Sequence, residues 1–240
     1  MCGLCGDGLN RRQLLFAGLA APLALGPLDK EGLVEPVLRL QPQSGPRRVA
    51  VTLDCCPGHF DMRIAAVLVE CRIPATIFVT AVWMRMNPEG LAYFLQHKDI
   101  FTLENHGARH LPPILGTRRV YGLEVAGSWP AIQAEINGGA LAITQATGRV
   151  PQWYRGAAGL YTPSMVPRIE ALGVRVAGYS LNSDEGAGLP AAIVQARIEA
   201  ARDGDVIEGH INQPKRASGA GIAAGLAALQ QSGAQFARLS

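Results

Sequence analysis

From Arg47 onward, short apolar runs rich in β-branched residues alternate with amphipathic stretches of helical length, and run after run ends on a polar residue. Strands separated by helices of this length need crossover connections, which build a parallel sheet or barrel. Val49-Ala50-Val51-Thr52-Leu53 is the first such run and stops at Asp54; further strands are expected at 76–80, 100–104, 153–155, 174–181, 204–208 and 234–239. Helical stretches fall between them at 62–70, 88–96, 129–146, 163–172, 189–201 and 219–231. Asp61 stands where the first helix needs an N-cap, since its carboxylate accepts from unpaired backbone donors. No internal repeat or interdomain linker interrupts the pattern, so residues 47–240 are expected to form one α/β domain built on a parallel sheet or barrel. In such a barrel catalytic groups gather at the carboxyl ends of the strands. Asp54, His106, Arg155, Asp184 and His210 all occupy strand ends.

The region ahead of the domain has a different character. Arg11-Arg12 precedes the apolar run Leu14-Leu15-Phe16-Ala17-Gly18-Leu19-Ala20-Ala21. Paired arginines, a short apolar stretch and small residues make residues 1–28 an export signal of the twin-arginine type, with 29–46 leading into the domain. The expected location is therefore periplasmic or extracellular, in association with the cell envelope. Cys2 and Cys5 form a CxxC pair inside that signal; Cys55, Cys56 and Cys71 belong to the domain, where Cys71 is placed to bridge one of the other two in an oxidising compartment. A net charge of +3, with no long basic run, offers no nucleic-acid groove.

The polar strand ends differ in chemistry. His106 and His110 are spaced H-x-x-x-H, which in a helical turn puts two imidazoles on one side to hold a metal ion. The pattern lacks the H-E-x-x-H of thermolysin-like peptidases. Asp54 is a carboxylate suited to binding metal or to taking a proton from water. His59, Asp61 and Cys55 are further ligand candidates nearby, although N-capping accounts for Asp61 by itself. Arg155 follows Trp153 and Tyr154, which suit either a sugar-facing wall or the core, and precedes a glycine-bounded loop. His210 is placed to protonate a leaving group, with Asp184 orienting or charging its ring.

Taken in order, these segments resemble the polysaccharide deacetylases of the NodB-homology type, carbohydrate esterase family four. Thr52-Leu53-Asp54-Cys55-Cys56 stands where that family has T-F-D-D-G, and Ile73-Pro74-Ala75-Thr76-Ile77-Phe78-Val79 resembles its next strand. Asn105-His106 through His110 matches the histidine motif; Arg155, Asp184 and Val206-Ile207-Glu208-Gly209-His210 match the later three. The resemblance implies a single-domain, distorted (β/α) barrel and a metal-dependent hydrolase, zinc in the first place, acting on an acetylated carbohydrate. It gives Asp54 the base role, His210 the acid role, and Arg155 and Asp184 supporting roles. It makes His106 and His110 metal ligands. The family's second aspartate is replaced by Cys55, so the third ligand is left among Cys55, Asp61 and His59, or Asp54 itself. The altered motif also leaves room for an amidase acting on a small C–N substrate, or for a non-catalytic carbohydrate-binding protein.

Overall fold

The computed structural model describes residues 24–28 and 32–239. Its first two strands, β1 (Ala24–Leu28) and β2 (Val34–Val37), pair antiparallel. Residues 24–28 of the expected export signal thus belong to a strand; residues 1–23, with the paired arginines and most of the apolar run, lie outside the described residues. The main sheet is built from β3 (Arg48–Cys55), β4 (Ala75–Val79), β5 (Phe101–Asn105), β8 (Trp153–Tyr154), β9 (Arg175–Val176), β10 (Leu181–Asn182) and β11 (Val206–His210). Their order is β10-β11-β3-β4-β5-β8-β9, every pair parallel, and β12 (Gln235–Ala237) adds in parallel at the start of β3. The sheet curls without closing, and among the described residues no strand pairing joins β9 to β10. This is the expected α/β architecture, as an open and distorted barrel.

Alternation along β3 explains which residues face where. Val49, Val51, Leu53 and Cys55 enter the large core on the convex side, with Ile64 and Leu68 of α1 (Met62–Glu70), Leu226 and Leu229 of α7 (Ser218–Gln231), and Val194 and Ile198 of α6 (Ala191–Glu199). Ala50, Thr52 and Asp54 point the other way, into the curl, where Ala50 packs with Phe78, Trp153, Ala177 and Val206. Trp153 and Tyr154 are both buried, so neither is a sugar-facing wall.

The remaining helices pack outside this sheet: α2 (Ala81–Met86), α3 (Pro88–Gln96), α4 (Trp129–Thr147) and α5 (Met165–Glu170). A small hairpin, β6 (Arg119–Val120) with β7 (Leu123–Glu124), stands beside the strand ends. Helix α4 starts on a Ser128 cap and stops at Gly148, whose left-handed conformation suits glycine. Its Gly139 lets it press against the loop after β5: a Cβ there would overlap Asn105 Oδ1 and come 2.9 Å from the Gly107 carbonyl.

One expected strand divides in two. The run 174–181 forms β9 and β10, because β2 and Leu38 cross it: Tyr179 N–H donates to the Pro36 carbonyl and Leu38 N–H to that of Tyr179. Gly178 permits the crossing, since a Cβ would collide with the Pro36 backbone. The packed domain accordingly begins near Leu33, which is buried with Val34 and Leu38.

Candidate active site

The carboxyl ends of β3, β5, β10 and β11 surround a cleft of about 630 Å³. Asp54, Cys56, His106, His110, Glu208 and His210 line it, and Tyr121 of the β6–β7 hairpin stands at its edge.

Asp54 is held from below. Arg155, fully buried, donates from Nη1 to Asp54 Oδ1 at 2.8 Å and from Nη2 to Thr52 Oγ1 and the Gly178 carbonyl, while its guanidinium lies 4.2 Å from the Phe78 ring centre. Burial pushes the Asp54 carboxyl up, but Arg155, His106 and His210 outweigh it and hold the group below its ordinary pKa.

Cys56, His106 and His110 present three donor atoms within 4.8 Å of one another. His106 Nδ1 lies 2.7 Å from the Arg155 carbonyl, which can only accept; Nδ1 therefore carries the proton and the Nε2 lone pair faces Cys56 Sγ at 3.4 Å. His110 Nε2 is buried with no hydrogen-bond partner. Burial raises the Cys56 thiol, but His110 and His106 overcome this and hold it well below its ordinary value, towards thiolate. Two imidazole nitrogens and a thiolate, one nitrogen otherwise unsatisfied, make a donor set that fits a divalent ion with an open coordination position. The histidines converge through a turn rather than a helix, with Gly107 and His110 at positive φ. Glu135 of α4 fixes that turn by accepting from the Arg109 and Leu111 amides.

Two sequence-derived ligand candidates lie elsewhere. Cys55 is buried in the convex core, because alternation at the end of β3 turns it away from Asp54, and burial raises its thiol pKa. Asp61 caps α1 through the Arg63 amide and pairs with the Arg63 guanidinium at 2.6 Å. The thiol in the cleft is that of Cys56. His59 is exposed, and Cys55, Cys56 and Cys71 are all free thiols.

On the opposite wall, Asp184 is fully buried and accepts from the His210 amide at 2.8 Å. Its other oxygen lies 3.0 Å from His210 Nδ1. That contact directs Nδ1–H inward and leaves Nε2 towards the cleft. Burial opposes charge on His210, but Glu208, Asp184 and Cys56 prevail and raise its pKa well above the usual value. Glu208, two residues earlier on the same face of β11, lies 3.3 Å from His210 Nδ1. Asp54, Glu208 and His210 form a second close group of possible ligands. Glu208 was not among the residues singled out from the sequence, although its period-2 relation to His210 would have found it.

Residues 41–177 match the polysaccharide deacetylase family, more than half of the sequence, and the chain belongs to that family. The match stops short of Asp184, Glu208 and His210. Among solved structures, the peptidoglycan deacetylase PdaC from Bacillus subtilis is similar at 21% identity, covering 82% of this chain and 90% of that one, with a TM-score of 0.66. A family 4 carbohydrate esterase from Bacillus anthracis shares 17% identity over 85% of this chain and 84% of its own, at a TM-score of 0.62. A CE4 family pseudoenzyme from the same organism, BA3943, aligns at 15% identity over 82% of this chain and 65% of its own, at a TM-score of 0.64. At these identities the likeness is one of fold, which active enzymes and a pseudoenzyme share. No curated protein gives a significant match.

Proposed function

We propose that the chain is a metal-dependent hydrolase that removes short acyl groups, acetyl in the first place, from a carbohydrate such as an N-acetylated glycan. One arrangement carries the reading: a metal-fit triad of Cys56, His106 and His110 shares a cleft with an Arg155-held Asp54 and an Asp184-held His210.

A divalent ion, zinc by its fit to nitrogen and thiolate donors, would polarise the acyl carbonyl and acidify water. Asp54, kept ionised by Arg155, takes a proton from the attacking water. His210, held towards its protonated form by the Asp184 carboxylate at its Nδ1, gives one to the departing nitrogen or oxygen. Oxygen from water bonds to the carbonyl carbon, the bond to the sugar heteroatom breaks, and the products are a carboxylic acid and a free amine or alcohol. Tyr121, 83% exposed at the cleft edge, offers an aromatic face to a sugar ring. Export by the twin-arginine route would bring this site to envelope glycans; that part of the reading rests on Arg11-Arg12 and the apolar run behind them.

The test combines metal analysis with acetate release from N-acetylglucosamine oligomers. About one equivalent of bound metal and turnover that is lost in His106→Ala support the reading. A protein that takes up no zinc, cobalt, nickel or manganese, or that is loaded and inert on N- and O-acetylated sugars, overturns it.

A further inference from the structure

The two histidines of the cleft are held in different ways. His106 ends β5 with its amide on the Val79 carbonyl at 3.0 Å and its ring on the Arg155 carbonyl at 2.7 Å. His110 has no such anchor at Nε2, which is buried without a partner, and its backbone takes a left-handed φ of 71° that side chains disfavour.

That strain brings two donors together. With His110 left-handed, the Arg109 and Leu111 amides on either side of it converge on one oxygen, Glu135 Oε2, at 2.8 and 3.3 Å. Backbone amides turned inward in this way make a small anion-binding hollow. The other oxygen of Glu135 accepts from Arg109 Nε at 3.0 Å, and the Glu135 side chain is 1% exposed. Helix α4 presents this carboxylate from close range. A Cβ on Gly138 would come 2.9 Å from that of Ala108, and Asn105 Nδ2 donates to the Ile136 carbonyl at 2.8 Å.

Resting on the reading that Cys56, His106 and His110 hold a metal, we infer that Glu135 is a positioning residue for that site: its carboxylate holds the His110 backbone in the conformation that brings the imidazole to Cys56 and His106. Without the carboxylate, the two flanking amides lose their acceptor and nothing offsets the strain at His110. A relaxed His110 turns its imidazole out of line with the other two donors. His106, anchored by its own ring, stays in place.

The experiment measures zinc affinity of the full-length protein by chelator competition, for wild type, Glu135→Leu and Glu135→Gln, each with and without His110→Ala. Glu135→Leu should weaken zinc binding about 10–100-fold, the usual cost of losing a group that orients a metal ligand. Glu135→Gln keeps an acceptor for the two amides but not the charge, and should weaken zinc binding about threefold. It carries the comparison by itself if the leucine variant does not fold. On the His110→Ala background neither change should alter affinity by more than about twofold, because the residue through which Glu135 acts is gone. A loss of that pattern upholds the role. Unchanged affinity in Glu135→Leu and Glu135→Gln, or a loss of the same size with and without His110, overturns it. A wild type that binds zinc and weakens in this pattern, but hydrolyses no acetylated sugar, leaves the role standing and sinks only the hydrolase reading. Hydrolysis by wild type with unchanged zinc affinity in the Glu135 variants does the reverse, and a wild type that takes up no zinc overturns both.

Discussion

Arg155 Nη1 and Asp54 Oδ1 meet at 2.8 Å beneath the cleft, joining the end of β8 to the end of β3 across β4 and β5. The guanidinium is completely buried, and Asp54 nearly so. Removing one partner of such a pair strands the other charge away from water. Arg155→Ala should therefore lower unfolding free energy by about 3–5 kcal/mol, read from urea denaturation. Arg155→Lys should recover only part of this, because a single ammonium cannot reach Asp54, Thr52 and Gly178 together.

The adjacent thiols separate by role. Cys56→Ala should weaken metal binding on the order of tenfold or more, as His106→Ala does, when affinity is measured by competition with a chelator. Cys55→Ser should bind metal as wild type does. It should lose about 1–3 kcal/mol of stability, because the new hydroxyl sits in an apolar core. Metal loss in Cys55→Ser with retention in Cys56→Ala would reverse the assignment.

Asp184 touches His210 but not the cleft contents, so it acts through the imidazole. Asp184→Asn should reduce kcat by about 10²–10⁴-fold with KM little changed. The alkaline limb of the pH–rate profile should move to lower pH, because the carboxylate that favours the imidazolium is gone. A loss of kcat with an unmoved profile would assign Asp184 to folding alone.

Glu208 gives a stability test at equilibrium. Its carboxyl is raised to about 8 in the folded chain, against an ordinary value near 4.3 when unfolded. The folded state holds the proton more tightly, so the stability this group contributes is complete below about pH 4.3 and lost as pH rises through about 8. Glu208→Gln removes the titration. Its stability relative to wild type should climb by on the order of 4 kcal/mol between pH 5 and 9. Urea melts in the presence of chelator at several pH values check this; parallel curves would mean that Glu208 is ionised throughout.

Much of this geometry was legible in the sequence, and where it was not the reason is physical. The alternation of apolar runs located β3, β4, β5, β8 and β11 to within a few residues, because each is bounded by polar or turn residues. The split of β9 from β10 was hidden, since nothing local in 174–181 announces that Pro36 crosses it. The two histidines meet as their spacing suggested, but the turn between them depends on Glu135 of α4, some twenty-five residues away in sequence. Motif matching offered Cys55, with Asp61, His59 and Asp54, as the third ligand, whereas the thiol that lies with the two histidines is that of Cys56. Continuing the period of two from Thr52 through Asp54 would have led to Cys56, and the same count back from His210 would have led to Glu208.

The crossing of β2 also sets where the molecule can be cut. Val34 bridges Tyr161, Leu38 bonds Tyr179 and Arg39 bridges Asp205, so residues 34–39 lie like a stave along the unclosed side of the sheet. A fragment trimmed to the matched region at 41–177 would forfeit that stave together with β11, uncovering Ala177 and leaving Asp54 without the wall that faces it. A fragment that keeps the stave, both walls of the cleft and the strand beside the start of β3 has to start by Leu33 and run through β12.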